Sequence, residues 1–302
     1  MKILILGLNG QLGFELYREA IARHMDVYAF KKSELDITKK DQIKNICSLL
    51  NPKVIINAAA FTDVDGAEKH PEIAFAVNSE AVESLASICE EHSIALVHIS
   101  TDYIFDGKKG DEYFEEDLEN PLNVYGKSKF EGENSIRKRL EKYLIIRTSW
   151  VFGERGKNFF KTVFRHAKQN RQLNVVNDQY GGPTPVNLLA EIIMDLCVKI
   201  KRSEIAWGTY NVSGLPHCTW YDFATQIVNM AQICGQLDSG ITVTPVNSSH
   251  YKTLAIRPQD TRLSNRKIMT VFDQKDFLFE PYLRHVFKNS IVKRKQPLWL
   301  KN

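Results

Sequence analysis

The 302-residue chain carries 40 Lys and Arg against 36 Asp and Glu, a formal net charge of +4, with 43% hydrophobic and 25% charged residues. That balance suits a globular protein with chain enough for one large or two smaller cored domains. It is too weakly basic for a nucleic-acid footprint, no apolar run approaches the ~18 residues of a membrane span, and five scattered cysteines without a CxxC pair suit a reducing compartment, so a cytoplasmic protein is expected.

Lys2 to Leu6 reads as a short, mainly apolar strand covered on both faces, not as the core of a signal peptide. It runs into Gly7-Leu-Asn9-Gly10-Gln11-Leu12-Gly13, and a helical pattern follows from about Phe14 to His24. Strand, glycine turn and helix are the context of a dinucleotide fingerprint. Gly7 permits the tight turn, Gly10 lets the backbone approach a pyrophosphate, and Gly13 permits close packing. The free N–H groups and dipole of the helix N-terminus favour the phosphates. The whole loop, including Asn9, Gln11 and Leu12, is therefore expected at a cofactor.

Val27 to Phe30 is the expected second strand. A carboxylate at its end would bind the ribose hydroxyls of NAD, but Lys31-Lys32-Ser33 stands there instead. Two lysines suit a 2′-phosphate, so NADPH is expected, with NADH the alternative. Asp36 and Ile37 fall where the adenine edge would lie, and Thr38 is placed to cap a helix near Lys40 to Leu50. Lys53 to Ala60 reads as a third strand. It ends in Ala58, Ala59 and Ala60, small enough for a flat cofactor to approach the backbone. A loop over Phe61 to Asp65, a long helix over Pro71 to Glu91 and a fourth strand over Ile94 to Ile99 follow.

Ligands of open parallel sheets bind beyond the carboxyl ends of the strands. Ser100-Thr101-Asp102-Tyr103, directly after the fourth strand, therefore sits where a substrate belongs. Past Pro121, Tyr125 and Lys129 stand four residues apart, on one face of a helix. An unperturbed tyrosine titrates near ~10, and an ammonium one turn away favours the phenolate. Such a pair can pass a proton to a substrate oxygen. Alone it is more often two solvated side chains; the glycine turn and the strand-end cluster give it chemical context.

Tyr143 to Arg147 completes an alternation of strands and helices through Gly153. The fold class expected is α/β, a Rossmann-type doubly wound parallel sheet over 1–153. Beyond it the pattern loosens. A helix opens at 157–160, a strand spans Leu173 to Val176, and a Gly-Pro loop covers 178–185. A helix then spans Val186 to Lys199, a strand Thr209 to Val212, a helix Thr219 to about Cys234, and a strand Thr242 to Val246. A smaller substrate-binding lobe over 154–302 is expected, some of its segments interleaved with the first domain. The basic end of the chain (Arg284, Lys288, Lys293, Arg294, Lys295, Lys301) reads as a solvated tail.

Eight short motifs occur in order: Gly7–Gly13, Asn57–Thr62, Ser100–Gly107, Asn123–Lys129, Arg147–Gly153, Asp178–Thr184, Thr219–Asp222, and Arg257-Pro258 with Arg262–Ser264. Together they resemble the extended short-chain dehydrogenase/reductase superfamily over nearly the whole chain, its GxxGxxG spacing included. Within it the chain is similar to the reductases of 4-keto-6-deoxysugars carried on dTDP. The resemblance implies a catalytic group of Thr101, Tyr125 and Lys129, the last two also touching the cofactor. It places Thr62, Val64, Asp102, Tyr103 and Trp150 on the deoxysugar, and Asn158 and Arg257 on the nucleotide diphosphate. It further implies NADPH as hydride donor and a dTDP-sugar as substrate. The reaction would be reduction at C4, as the last step in supplying an activated deoxysugar for surface polysaccharide, by a monomer or homodimer. Some members bind Mg²⁺ at a dimer interface, for which Glu15 and Glu191 are the matching carboxylates. Three alternatives use the same fold. Nucleotide-sugar dehydratases carry Thr-Asp-Glu where this chain has Thr101-Asp102-Tyr103. A sister reductase of different C4 stereochemistry and a non-catalytic binding subunit, like the regulatory subunit of methionine adenosyltransferase, would share the motifs.

Overall fold

Ile3 and Ile5 of β1 (Ile3–Leu6) pack into one hydrophobic cluster, Leu4 and Leu6 into another on the opposite face of the sheet. That is why the strand is apolar at every position: a parallel sheet is covered on both sides. The computed structural model describes residues 1–272 and 277–295. β1 leads through α1 (Gln11–Ala22), β2 (Val27–Phe30) and α2 (Lys40–Leu50) to β3 (Val54–Asn57). Three helical pieces follow, α3 (Val64–Lys69), α4 (Pro71–Phe75) and α5 (Ala81–Glu91), then β4 (Ala95–Thr101), α6 (Val124–Arg139) and β5 (Tyr143–Thr148). Next come α7 (Phe159–Gln169), β6 (Gln172–Val176), β7 (Tyr180–Gly181), α8 (Val186–Arg202) and β8 (Gly208–Val212). The chain closes with β9 (Cys218–Thr219), α9 (Trp220–Ile233), β10 (Thr242–Val246), α10 (Arg266–Val271) and α11 (Glu280–Lys295).

Six strands form one parallel sheet in the order β2-β1-β3-β4-β5-β8. The chain leaves β1 to one side for β2 and returns to the other for β3, so the order reverses between β1 and β3. The crevice at such a switch point is where open α/β sheets bind ligands. Here it is walled by the Gly7 loop and by Ala58 to Ala60. Residues beyond 153 rejoin this layer. β8 forms the sheet edge beside β5, and α8 lies against α1, where Arg23 meets Asp195 at 2.5 Å. The remaining lobe is built on the parallel β6–β10 pair with α7, α9 and α11, around Phe160, Phe223, Phe279 and Phe287.

Several local expectations change in the structure. α1 begins at Gln11, earlier than Phe14, because Gly10 already occupies the N-cap. Thr38 does not cap α2; its hydroxyl donates to Asp36 Oδ1 at 2.9 Å, and Lys39 holds the N-cap position. The loop expected through Asp65 turns helical at Val64, where Asp63 accepts the Gly66 N–H at 2.9 Å. The helix expected over Pro71 to Glu91 contains a π-helical turn at Ala76–Glu80, a feature frequent at functional sites. Much of the expected basic tail lies in α11, whose Leu283 and Phe287 are buried; Lys301 lies outside the described residues. No helix among the described residues is long and apolar enough to cross a membrane.

Candidate active site

The C-terminal ends of β4 and β5, the Gly7 loop and the start of α6 enclose a cleft of about 410 Å³. Gly7 adopts φ +92°, and a Cβ there would come within 2.8 Å of the Ala59 nitrogen. Only glycine makes this turn and lets the loop close on β3. Gly10 caps α1 without a side-chain hydrogen bond, and the first turn of the helix faces the cleft through Gln11 and Leu12. Ser100 Oγ and Thr148 Oγ1, at adjacent strand ends, are buried in the lining without a hydrogen-bond partner. A polar ligand in the cleft would give these two hydroxyls the partners they lack. A bare helix N-terminus, small alanines and two unpaired hydroxyls fit a dinucleotide.

α6 delivers Tyr125 and Lys129. Asn123 caps the helix by accepting the Gly126 N–H at 2.8 Å. Gly126 permits the close approach that follows: a Cβ there would lie 2.2 Å from the Tyr103 carbonyl oxygen. Tyr125 thereby meets Tyr103 edge to face, with ring centroids 6.0 Å apart. Its phenol shares the cleft lining with the Thr101 side chain. The Thr101 hydroxyl donates to Asp102 Oδ1 at 3.1 Å and accepts the Tyr103 N–H at 3.2 Å. Asp102 is buried, its other oxygen accepting from Thr261 at 2.5 Å. Burial pushes its carboxyl up to about 7, against the hydrogen bonds from Thr261 and Thr101.

Lys129 departs from the expected arrangement. Its ammonium does not lower the tyrosine: burial pushes the Tyr125 phenol up to about 12, opposed by the Thr101 side chain. Lys129 Nζ donates instead to the Ile99 carbonyl at 2.6 Å and lies 3.2 Å from His98 Nε2. Burial lowers Lys129 to about 8, and Glu133 one turn along opposes that shift.

The cleft brings together Thr101, Tyr125 and Lys129 with Gly10, Gln11, Leu12, Ala58 and Ala60, and with Thr62, Val64, Asp102, Tyr103 and Trp150. Ala59 turns to the core, its N–H bonded to Asn57 Oδ1. Gly7, Asn9 and Gly13 shape the loop outside the lining, and Lys31, Lys32, Asp36 and Ile37 follow β2 farther along the crevice. Lys31 Nζ pairs with Glu34 at 3.2 Å, Asp36 is engaged with Thr38, and Ile37 is buried. Asn158 is not in the lining. Its Oδ1 caps α7 through the Lys161 N–H at 2.9 Å, and its Nδ2 bonds the Gly153 carbonyl at 2.9 Å. Arg257 lies in a neighbouring groove of about 1280 Å³, paired with Asp65 at 2.7 Å. Glu15 pairs with Arg18 at 2.6 Å, and Glu191 accepts the Tyr282 hydroxyl at 3.2 Å. No group of three His, Cys, Asp or Glu residues that could hold a metal occurs among the described residues, so neither Glu15 nor Glu191 is gathered with two further such ligands within one chain.

Three residues of the site were given no role by the motif reading, although Trp220 stands inside the Thr219–Asp222 motif. Trp220 stacks on Trp150 at 3.4 Å and 11° and lines both the cleft and the groove. Asn78, carried inward by the π-helical turn, clasps both the N–H and the carbonyl of Phe61 and donates to Ser128 at 3.0 Å. His98 stands behind Lys129. Its signal was a lone polar residue inside an apolar strand; Trp220 had its motif, and Asn78 had none.

A parallel sheet with a dinucleotide-type glycine turn, a strand-end Thr and a helical Tyr-Lys pair defines a nucleotide-dependent oxidoreductase of the short-chain dehydrogenase/reductase type. The family model "RmlD substrate binding domain" matches residues 1–291, and the chain belongs to that family. It is 42% identical over 273 residues to a dTDP-4-dehydrorhamnose reductase of Aggregatibacter actinomycetemcomitans, covering 90% of this chain and 93% of that one. It is 39% identical over 280 residues to the enzyme of the same name from Salmonella typhimurium, covering 90% and 92%. The crystal structure of dTDP-4-dehydrorhamnose reductase from Bacillus anthracis in complex with NADP superposes with a TM-score of 0.87 at 34% identity, covering 95% of this chain and 99% of that one.

Proposed function

We propose that this chain reduces the C4 ketone of dTDP-4-dehydro-L-rhamnose to give dTDP-L-rhamnose, with NADPH as coenzyme. The observation that carries the reading is the convergence of Thr101, Tyr125 and Lys129 in one cleft whose unpaired hydroxyls and bare helix terminus suit a dinucleotide. The relatives' shared name and the NADP in the Bacillus anthracis structure support the substrate and the coenzyme. When bound, NADPH supplies the hydride to the carbonyl carbon.

The remaining work belongs to the chain. Tyr125, kept protonated by burial, gives its proton to the C4 oxygen as negative charge develops there. Thr101 turns its hydroxyl from Asp102 to the same oxygen and stabilises that charge. Lys129 returns a proton toward the phenolate. Thr62, Val64, Asp102, Tyr103 and Trp150 enclose the deoxysugar, and the larger groove takes the nucleotide, with Arg257 at its diphosphate. Gln11 ties the first turn of α1 to the Val151 carbonyl at 3.1 Å and so fixes the phosphate end of the cleft. At a homodimer interface Glu15 and Glu191 would be joined by ligands from a second copy if they held Mg²⁺.

The test mixes the protein with dTDP-4-keto-6-deoxy-L-mannose, generated in situ, and NADPH. Expected are loss of NADPH absorbance and a sugar product identified as dTDP-L-rhamnose. Absence of turnover overturns the reading in favour of a binding subunit, and a C4-epimeric product in favour of a sister reductase. The same assay yields the kcat/KM ratio of NADPH to NADH, expected above one from Lys31 and Lys32. A ratio at or below one removes both lysines, of which Lys31 is paired with Glu34, from coenzyme choice.

A further inference from the structure

We propose that Thr261, which lies outside the cleft lining, is a positioning residue that holds the Asp102 carboxylate so that it aims the Thr101 hydroxyl. The proposal rests on the reading of Thr101 as an oxyanion donor and deepens it. The two oxygens of Asp102 have separate partners: Oδ1 accepts from Thr101 at 3.1 Å, and Oδ2 from Thr261 at 2.5 Å. A carboxylate only accepts, so both hydroxyls donate to it. Asp102 and Thr261 are 3% and 2% exposed, so both bonds are shielded from solvent. A carboxylate held by one hydroxyl on each oxygen has its rotation fixed. Thr101 is fixed from its other side, where its oxygen accepts the Tyr103 N–H at 3.2 Å. When Thr101 turns to the C4 oxygen, Oδ1 gives up its donor, and Thr261 remains to keep the carboxylate in place for the return.

The backbone that carries Thr261 is tied on several sides. Its N–H donates to the Tyr180 carbonyl at 3.0 Å, and the Tyr180 N–H donates to the Gln259 carbonyl at 2.6 Å. The Arg262 carbonyl accepts the Tyr113 N–H at 2.7 Å, and Leu263 is buried in a cluster with Ile104 and Phe105. Gly107, at φ +73°, lets the segment close on the turn after β4: a Cβ there would come within 2.7 Å of the Gln259 nitrogen. Arg257 and Gln259 of the same segment line the outer groove. The chain that borders the groove therefore reaches, two residues beyond Gln259, the carboxylate behind the strand-end threonine. Without the Thr261 hydroxyl, Oδ2 is a buried acceptor short of a partner, which is costly. The carboxylate then turns to find another donor and takes Oδ1 away from Thr101. The ionisable groups that bear on Asp102 are the phenols of Tyr103 and Tyr125, both raised by burial, with Arg257 beyond Tyr103. Lys129, in the same cleft, is lowered to about 8.

The experiment compares Thr261→Val, which keeps the branched shape and removes the donor, with Thr261→Ser, which keeps the donor. With the dTDP-sugar and NADPH, kcat should fall about 10-fold in Thr261→Val, both KM values should stay within about 3-fold, and Thr261→Ser should restore kcat. A Thr101→Ala/Thr261→Val double variant should lose no more than Thr101→Ala alone, because Thr261 acts through Thr101. Unchanged kcat in a folded Thr261→Val protein, a Ser variant as slow as the Val variant, or losses that multiply in the double variant overturn the proposal. A second readout needs no turnover: ¹³C NMR of the Asp102 carboxyl carbon in the substrate-free protein, assigned by its loss in Asp102→Asn. Following that carbon keeps the carboxyl apart from the nearby titration of Lys129. Removing a donor to the ionised form should raise the titration by about one pH unit in Thr261→Val and leave it in place in Thr261→Ser. An unmoved titration in folded Thr261→Val overturns the proposal. If Thr261→Val does not fold, Thr261→Cys, with its weaker S–H donor, should show the same changes at smaller size, and their absence overturns the proposal. A wild type that does not turn over, with the titration moving as expected, faults only the proposed reaction.

Discussion

The catalytic cleft and the outer groove are built by different means. The cleft is lined mainly from the ends of β4 and β5 and the first turns of α1 and α6, and its decisive groups are buried and hydrogen-bonded. The groove is roughly three times larger and runs over α7, β6 and the irregular segment 247–259. Rigid sheet ends hold the groups that must meet a reacting atom within tenths of an ångström. The lobe supplies area for recognition, where small displacements cost less. Trp150 and Trp220, stacked at 3.4 Å, form the wall shared by the two. On this division, changes in the cleft should act on kcat and those in the groove on KM.

The sharpest way to break the division is Tyr125→Phe. It removes the proton donor while keeping the ring against Tyr103, and kcat should fall by about 10²–10⁴-fold with little change in KM. Thr101→Ala should cost about 10²–10³-fold, the scale of one lost oxyanion donor. Steady-state kinetics with the dTDP-sugar and NADPH decide both. A Tyr125→Phe enzyme with near-normal turnover would remove the phenol from the chemistry.

Much of the cleft was legible because its signals are local. The glycine turn after an apolar strand, the four-residue spacing of Tyr125 and Lys129, and Thr101 at a strand end each report on one element and its immediate continuation. Strand registers then bring them together: Thr101 of β4 lies beside Thr148 of β5, as any parallel sheet with this order requires. The groove was less legible. Trp220 reaches Trp150 only through the packing of α9, and no periodicity announces it. Asn78 depends on a π-helical turn that a helical pattern over Pro71 to Glu91 does not distinguish. The direction of the Tyr125 shift was missed for another reason. Spacing puts Lys129 on the right face, but the Ile99 carbonyl and His98 decide where its nitrogen points, and burial then dominates the phenol. Asn158 shows the converse. A residue in the right place by motif is committed at both ends to capping α7 and holding the Gly153 turn.

Burial separates the two regions in stability as well. Asp102 titrates near 3.8 when unperturbed and is pushed up to about 7 in the fold. A carboxyl raised in the folded state binds its proton more tightly there. The stabilisation is complete below about pH 4 and is lost as pH rises through about 7. Between pH 5 and 8 the wild type should lose roughly 2–4 kcal/mol of unfolding free energy from this group. Asp102→Asn should flatten that slope in denaturant titrations at the two pH values. An identical slope in the variant would mean that the buried carboxyl is not the group responsible.

The groove should give the smallest effect and the cleanest split. Arg257 spans the boundary: it lines the groove, pairs with Asp65 at 2.7 Å, and its charge favours the phenolate of Tyr103, which faces Tyr125. If its main work is at the nucleotide diphosphate, Arg257→Ala should raise KM for the dTDP-sugar about 10–100-fold, the scale of a charged hydrogen bond. The change in kcat should stay within about 3-fold. If instead its charge beside Tyr103 sets the position of Tyr125, kcat falls as KM rises, and the two regions are one unit joined through Arg257. Asp65→Asn discriminates further. It weakens the pair that orients the guanidinium without removing its charge, so under the division it raises KM less than Arg257→Ala does and leaves kcat unchanged.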